Sequence, residues 1–152
     1  MAIVVDTSCL ITLSKIGKVE LLNEIFPEII VPGAVEEEFG YELPEFLRVV
    51  VIKDKDLLEF STSSLGPGES EVLTLAVELN ADGVIIDEKK GRKEAKKLGL
   101  KLLGTLGLLL LAKKRGFIDD LEDMVDKIVE NGFYISDSKI KEVLTIGKKK
   151  RD

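Results

Sequence analysis

Two short apolar runs, each ending in an aspartate, constrain this chain most: Ile3-Val4-Val5 before Asp6, and Gly83-Val84-Ile85-Ile86 before Asp87. A continuous apolar run of this length is how a strand reads when both faces of its sheet are covered. Ile29-Ile30-Val31, Val49-Val50-Val51-Ile52 and Lys101-Leu102-Leu103 are further strand candidates. Helical patterns lie between them. Thr7 to Ile16 carries Leu10, Leu13 and Ile16 on one face and ends at Gly17, and Val19 to Phe26 is a second short helix. Pro32 is placed to open a helix that runs to Phe39 and stops at Gly40. Ser61 to Gly68 reads as a turn-rich loop before an amphipathic helix over Glu69 to Asn80. Lys89 to Leu98 and the apolar Leu106 to Lys114 are closed by Gly99 and Gly116. Asp119 to Glu130 and Ser136 to Leu144 form two last helices, with Asp119 and Ser136 as N-caps. This alternation predicts an α/β fold: a three-layer α/β/α sandwich with a short, mainly parallel central sheet and extra C-terminal helices. Ligands of such sheets bind beyond the carboxyl ends of the strands, where Asp6 and Asp87 stand.

Composition narrows the chemistry. The 152 residues contain no histidine and one cysteine. That excludes a Ser-His-Asp triad, imidazole acid–base catalysis, a His/Cys zinc site and an intrachain disulfide. Cys9, inside an apolar run, is expected to be a small buried side chain rather than a nucleophile. The longest apolar run, Leu106 to Ala112, is far short of the roughly 20 residues that span a bilayer. With no secretory leader pattern after Met1, a soluble cytoplasmic protein is the expectation. Glutamine is missing while Lys and Glu are abundant, a pattern that suits a thermophilic source. The net charge of −6 argues against a protein that merely coats nucleic acid. Its cations are nonetheless clustered, at Lys89-Lys90, Arg92-Lys93, Lys96-Lys97, Lys113-Lys114-Arg115 and Lys148 to Arg151. Such clusters read either as solvated helix faces or as a basic rim for a polyanion.

Helical geometry separates the remaining acids. With Val72, Leu73, Ala76 and Leu79 marking the apolar face, Glu69 falls within about 30° of its centre and Glu71 about 130° away, towards solvent. In Glu36-Glu37-Glu38, Glu38 lies nearest the side marked by Val35 and Phe39, and Glu37 furthest from it. Each acid also has an ordinary reading: Asp6 and Asp87 as turn or cap residues, Glu69 as a partner of the helix dipole, the glutamate run as a solvated face. Together, four carboxylates at one sheet edge repel one another and stay ionised only around a cation. Hard oxygen ligands without His or Cys suit Mg²⁺ or Mn²⁺, which activate water and stabilise the oxygens of a phosphodiester in hydrolysis.

In their order, these segments resemble the motifs of PIN domains, the fold of VapC-type toxin ribonucleases. Val4-Val5-Asp6-Thr7-Ser8 is similar to the first motif and Val31-Pro32 with Val35 and Glu38 to the second. Gly68-Glu69-Ser70-Glu71 leading to Leu75-Ala76 is similar to the third, and Ile85-Ile86-Asp87 to the fourth. Gly104-Thr105-Leu106-Gly107, the Leu-rich helix after it, and Arg92 with Ala95 resemble an uncharacterised archaeal and bacterial branch. Many toxin PIN domains carry Asp where Glu69 stands. The resemblance implies a Mg²⁺- or Mn²⁺-dependent endoribonuclease cutting single-stranded or structured RNA, often a homodimer and often held by a small antitoxin. It assigns catalysis and metal binding to Asp6, Glu38, Glu69 and Asp87. Ser8 would orient Asp6 or the attacking water, and Arg92 and Thr105 either contact phosphate or serve as an ion-pair partner and a helix cap. It implies a nuclease domain over residues 1–118, a helical extension over 119–147 packed on it, and a basic tail over 148–152.

Neighbouring families fit less well. A haloacid-dehalogenase phosphatase needs an acid where Ser8 stands, a receiver domain needs an acidic neighbour for Asp6, and no phosphate-binding glycine loop is present. The alternative from another class is a catalytically inactive PIN fold that binds RNA or a protein.

Overall fold

The computed structural model describes residues 2–53 and 65–148. Five strands, β1 (Ala2–Val5), β2 (Glu28–Pro32), β3 (Leu47–Val50), β4 (Gly83–Ile85) and β5 (Leu102–Leu103), form one sheet in the order β3-β2-β1-β4-β5. Every pairing in it is parallel. Around it lie α1 (Thr7–Lys15), α2 (Glu20–Ile25), α3 (Gly33–Phe39), α4 (Pro67–Glu78), α5 (Lys89–Lys97), α6 (Thr105–Lys114), α7 (Leu121–Glu130) and α8 (Asp137–Gly147). The result is the expected α/β sandwich, a short parallel sheet flanked by helices with additional C-terminal ones.

Strand β1 lies at the centre because it is apolar without interruption: Val4 and Val5 are fully buried, paired to β2 on one side and β4 on the other. Helix α4 lies against β1, β2 and β4 through Val72, Leu73, Leu75 and Ala76. The C-terminal helices pack on α6, and α7 also meets α1, burying Leu121, Met124, Val125, Ile128 and Val143 in the same core. Carboxyl ends of β1 and β4 are level, with Val5 opposite Ile85, which puts Asp6 and Asp87 side by side.

Several local expectations need correction. Pro32 pairs with Val50 as the last residue of β2 and occupies the N-cap of α3, so the helix opens at Gly33. Edge strand β3 starts two residues before Val49, because pairing to β2 sets Leu47 opposite Ile29 and buries it, while Val49 and Val51 are exposed. Helix α4 starts at Pro67, whose missing N–H costs nothing at a first helical position. Gly68 therefore belongs to the helix; of the expected loop, residues 61–64 lie outside the described residues, as does the tail beyond Lys148. Leu79 is partly exposed rather than part of the apolar face, since α4 ends one residue before it. Asp120, not Asp119, caps α7 by accepting from the Asp123 N–H at 2.9 Å. Ser136 caps α8 as expected, accepting from Lys139 N–H.

Candidate active site

A cavity of about 540 Å³ opens at the carboxyl ends of β1 and β4. Asp6, Glu38, Glu69 and Asp87 all line it, together with Ser8 and with Glu88.

Asp6 is only 3% exposed and caps α1. Its Oδ1 accepts from the Cys9 N–H at 2.9 Å and its Oδ2 from the Asp87 N–H at 3.2 Å. Burial, then the neighbouring charges of Asp87 and Glu38, push its carboxyl up to about 7 against the two backbone hydrogen bonds. Asp87 is held as firmly from the far side. Its Oδ1 accepts from the Thr105 N–H at 2.7 Å and its Oδ2 from the Thr105 hydroxyl at 2.6 Å, so it closes the first turn of α6 from outside.

The two glutamates are held more loosely. Glu38 accepts from the Thr7 hydroxyl at 3.2 Å and lies against the first turn of α4, where a Cβ at Gly68 would stand 2.5 Å from its Oε1. Any larger residue there would have to displace the flexible end of Glu38. Glu69 has its Oε2 buried and without a hydrogen-bond partner among the described residues. Burial first, then a side-chain hydrogen bond to Glu88 and the charges of Glu88, Asp6 and Glu38, raise it to about 8. At neutral pH, Asp6 and Glu69 hold protons for a substantial part of the time, and an added cation would displace them.

The supporting residues divide. Ser8 is exposed at the cavity wall, while Asp6 is oriented by main-chain N–H groups. Thr105 is fully buried and spends its hydroxyl on Asp87, and Gly104 occupies the N-cap of α6. Arg92 donates to the Ile86 carbonyl at 2.8 Å. Neither Arg92 nor Thr105 lines the cavity. Cys9 is fully buried and its thiol is pushed up by burial and by Asp87 and Asp6, as suits a core side chain and not a nucleophile. Glu71 is corrected: instead of facing solvent, its Oε1 accepts from the Ala34 N–H at 3.1 Å, because α3 packs against α4 and presents its unpaired first turn there.

Sequence reasoning passed over Glu88, the outer stripe of α1 (Ile11, Thr12, Lys15) and the loop Asn131 to Tyr134, all of which line the cavity. The stripe was readable: residues 7, 8, 11, 12 and 15 share a helical face opposite the buried Leu10 and Leu13. Nothing in the sequence places the loop near Asp6.

The acids here offer carboxylate oxygens, the right kind for a hard divalent cation, and the orphaned Glu69 Oε2 is a group such an ion would satisfy. Their spacing does not yet fit one: among the described residues, no group of three or more Cys, Asp and Glu side chains is placed to hold a metal ion.

An open parallel sheet with an acidic cavity at its carboxyl edge places the chain among the α/β folds. A family profile, DUF3368, described as a PIN domain, matches residues 2–149, and the chain belongs to that PIN-domain family. The match is to the PIN domain and carries no toxin assignment. No curated protein matches the chain. Among the described residues, no helix is long and apolar enough to cross a membrane.

Proposed function

We propose that this PIN domain engages RNA at the acidic cavity and hydrolyses its phosphodiester bonds with Mg²⁺ or Mn²⁺. The observation that carries this reading is the convergence of Asp6, Glu38, Glu69 and Asp87 on one cavity, where burial first and neighbouring carboxylates second raise Asp6 and Glu69. Crowded carboxylates are costly without a cation. When bound, a divalent ion would supply Lewis-acid stabilisation of phosphate oxygens and a more acidic water. Asp6 and Asp87 offer fixed oxygens at the strand ends. Glu38 and Glu69 offer oxygens on helix turns that can swing inward. Thr105 holds Asp87, and Ser8 stands on the wall within the same cavity. Helix α5 begins at the cavity's Glu88 and carries exposed Lys89, Lys90, Lys93 and Lys96, a basic flank for a polyanion.

One observation favours a second reading, a PIN fold that binds RNA or protein without cleaving. No three of the described carboxylates are spaced for a metal as they stand, and on ligand spacing alone that reading is the better supported. A toxin role, an antitoxin and a homodimer rest on family resemblance and form no part of the proposal.

The experiment is cleavage of a mixed single-stranded RNA with Mn²⁺ or Mg²⁺ and with chelator, comparing wild type to Asp6→Asn. Metal-dependent cleavage lost in the variant supports the nuclease. Intact RNA with both metals, including at elevated temperature, gives preference to the non-cleaving module.

A further inference from the structure

The cavity has a second end that the carboxylates do not use. From Thr7 to Lys15 the cavity face of α1 runs about 12 Å away from Asp6, long enough for more than one nucleotide. At that end stand Lys15 and the loop Asn131-Gly132-Phe133-Tyr134. Lys15 Nζ donates to the Asn131 carbonyl at 3.3 Å, so the helix and the loop are tied together. Lys15 is the one cation among the described lining residues and makes no ion pair among the described residues.

Tyr134 is 94% exposed. Its presentation is built rather than incidental. The loop is fastened to α7 by Gly132 N–H on the Val129 carbonyl at 3.0 Å and Phe133 N–H on the Ile128 carbonyl at 2.9 Å, with Gly132 at φ +95° making the turn. Phe133 and Ile135 on either side pack against the core, so alternation along the chain turns Tyr134 outward. The other tyrosine, Tyr41, packs edge-on against Phe39, whereas Tyr134 has no ring partner among the described residues.

We infer that Tyr134 is a stacking platform for an unpaired nucleobase, with Lys15 taking the adjoining phosphate, so that a single strand lies along α1 with a later phosphate at the acids. An aromatic face stacks on any base and a lysine beside it neutralises the backbone, a pairing that suits single-stranded polynucleotide and not a duplex, whose bases are already stacked. The inference rests on the reading that the cavity engages RNA, but it does not require cleavage.

The test is fluorescence anisotropy with a labelled eight-nucleotide RNA, its deoxy counterpart and an abasic strand of equal length, in Ca²⁺ with the wild-type chain as the parent. Tyr134→Ala should weaken binding of both base-bearing strands about tenfold. Tyr134→Trp should preserve binding, and the abasic strand should not distinguish the variants. Lys15→Gln should lower the slope of log affinity against log salt by about 0.7. Base-bearing strands that bind Tyr134→Ala as tightly as its parent, or an equal loss on the abasic strand, overturn the platform alone. Absence of binding by the parent, in Ca²⁺ and in Mg²⁺, overturns the RNA reading and this inference with it.

Discussion

The cavity floor and its rim are held differently. Asp6 and Asp87 stand at the ends of adjacent strands, and their four oxygens receive hydrogen bonds from Cys9, Asp87 and Thr105, three from backbone N–H groups and one from the Thr105 hydroxyl. Glu38 and Glu69 reach in from helices, one with a single long hydrogen bond to Thr7 and the other with an oxygen left bare. A sheet edge fixes a short side chain, whereas a glutamate on a helix turn keeps rotamer freedom. The floor is therefore preorganised and the rim adaptable, which accounts for four carboxylates sharing a cavity without yet being spaced for an ion.

Substitutions sharpen that contrast. The largest effect is expected on the floor: Asp6→Asn and Asp87→Asn should each reduce metal-dependent RNA cleavage to background, while Glu38→Gln and Glu69→Gln leave a measurable remainder. Equal losses at all four positions would break the distinction between floor and rim. Next in size is Thr105→Val, which removes one of the two bonds that hold Asp87 and should cut activity about 10- to 100-fold, with Thr105→Ser restoring most of it. A hydroxyl that mattered only for folding would instead lower the melting temperature and leave the turnover of the folded fraction unchanged.

The acid–base balance gives a smaller effect of definite sign. Asp6 is raised from 3.8 to about 7 and Glu69 from 4.5 to about 8. Between those limits the folded chain holds more protons than the unfolded one. Their contribution to stability is thus fully present below about pH 4 and is lost as pH rises through about 7 to 8. Metal-free protein should melt at a lower temperature at pH 8 than at pH 5, and Glu69→Gln should flatten the dependence. A melting temperature that rises across this window would contradict the burial and crowding that raise these two groups. The smallest change is expected from Gly68→Ala, whose Cβ displaces the flexible end of Glu38. It should weaken Mn²⁺ binding while moving the metal-free melting temperature by only a few degrees, on the order of 1 kcal/mol.

What could be read in advance follows the same division. Asp6 and Asp87 were legible because a buried strand announces its end, and parallel neighbours share an edge. Glu38 and Glu69 were legible from helical phase, which also selected them over Glu37. Phase failed for Glu71 because the face it occupies is covered by α3, a contact that no single helix encodes. Glu88 was passed over because neither strand end nor helical phase singles it out; it is the N-cap of α5 and lines the cavity beside Asp87. The Asn131 to Tyr134 loop reaches Lys15 over more than a hundred residues, through the packing of α7 on α1, and has no local signature.

The most direct measurement is a calorimetric titration of the chain with Mn²⁺ at pH 6 and pH 8, run in two buffers of different ionisation enthalpy, on wild type and Asp6→Asn. The account predicts saturable binding that is tighter at pH 8, releases protons at pH 6 from Asp6 and Glu69, and is lost in the variant. Absence of binding at millimolar Mn²⁺, or binding that Asp6→Asn leaves intact, would contradict a metal site at the carboxyl edge of this sheet.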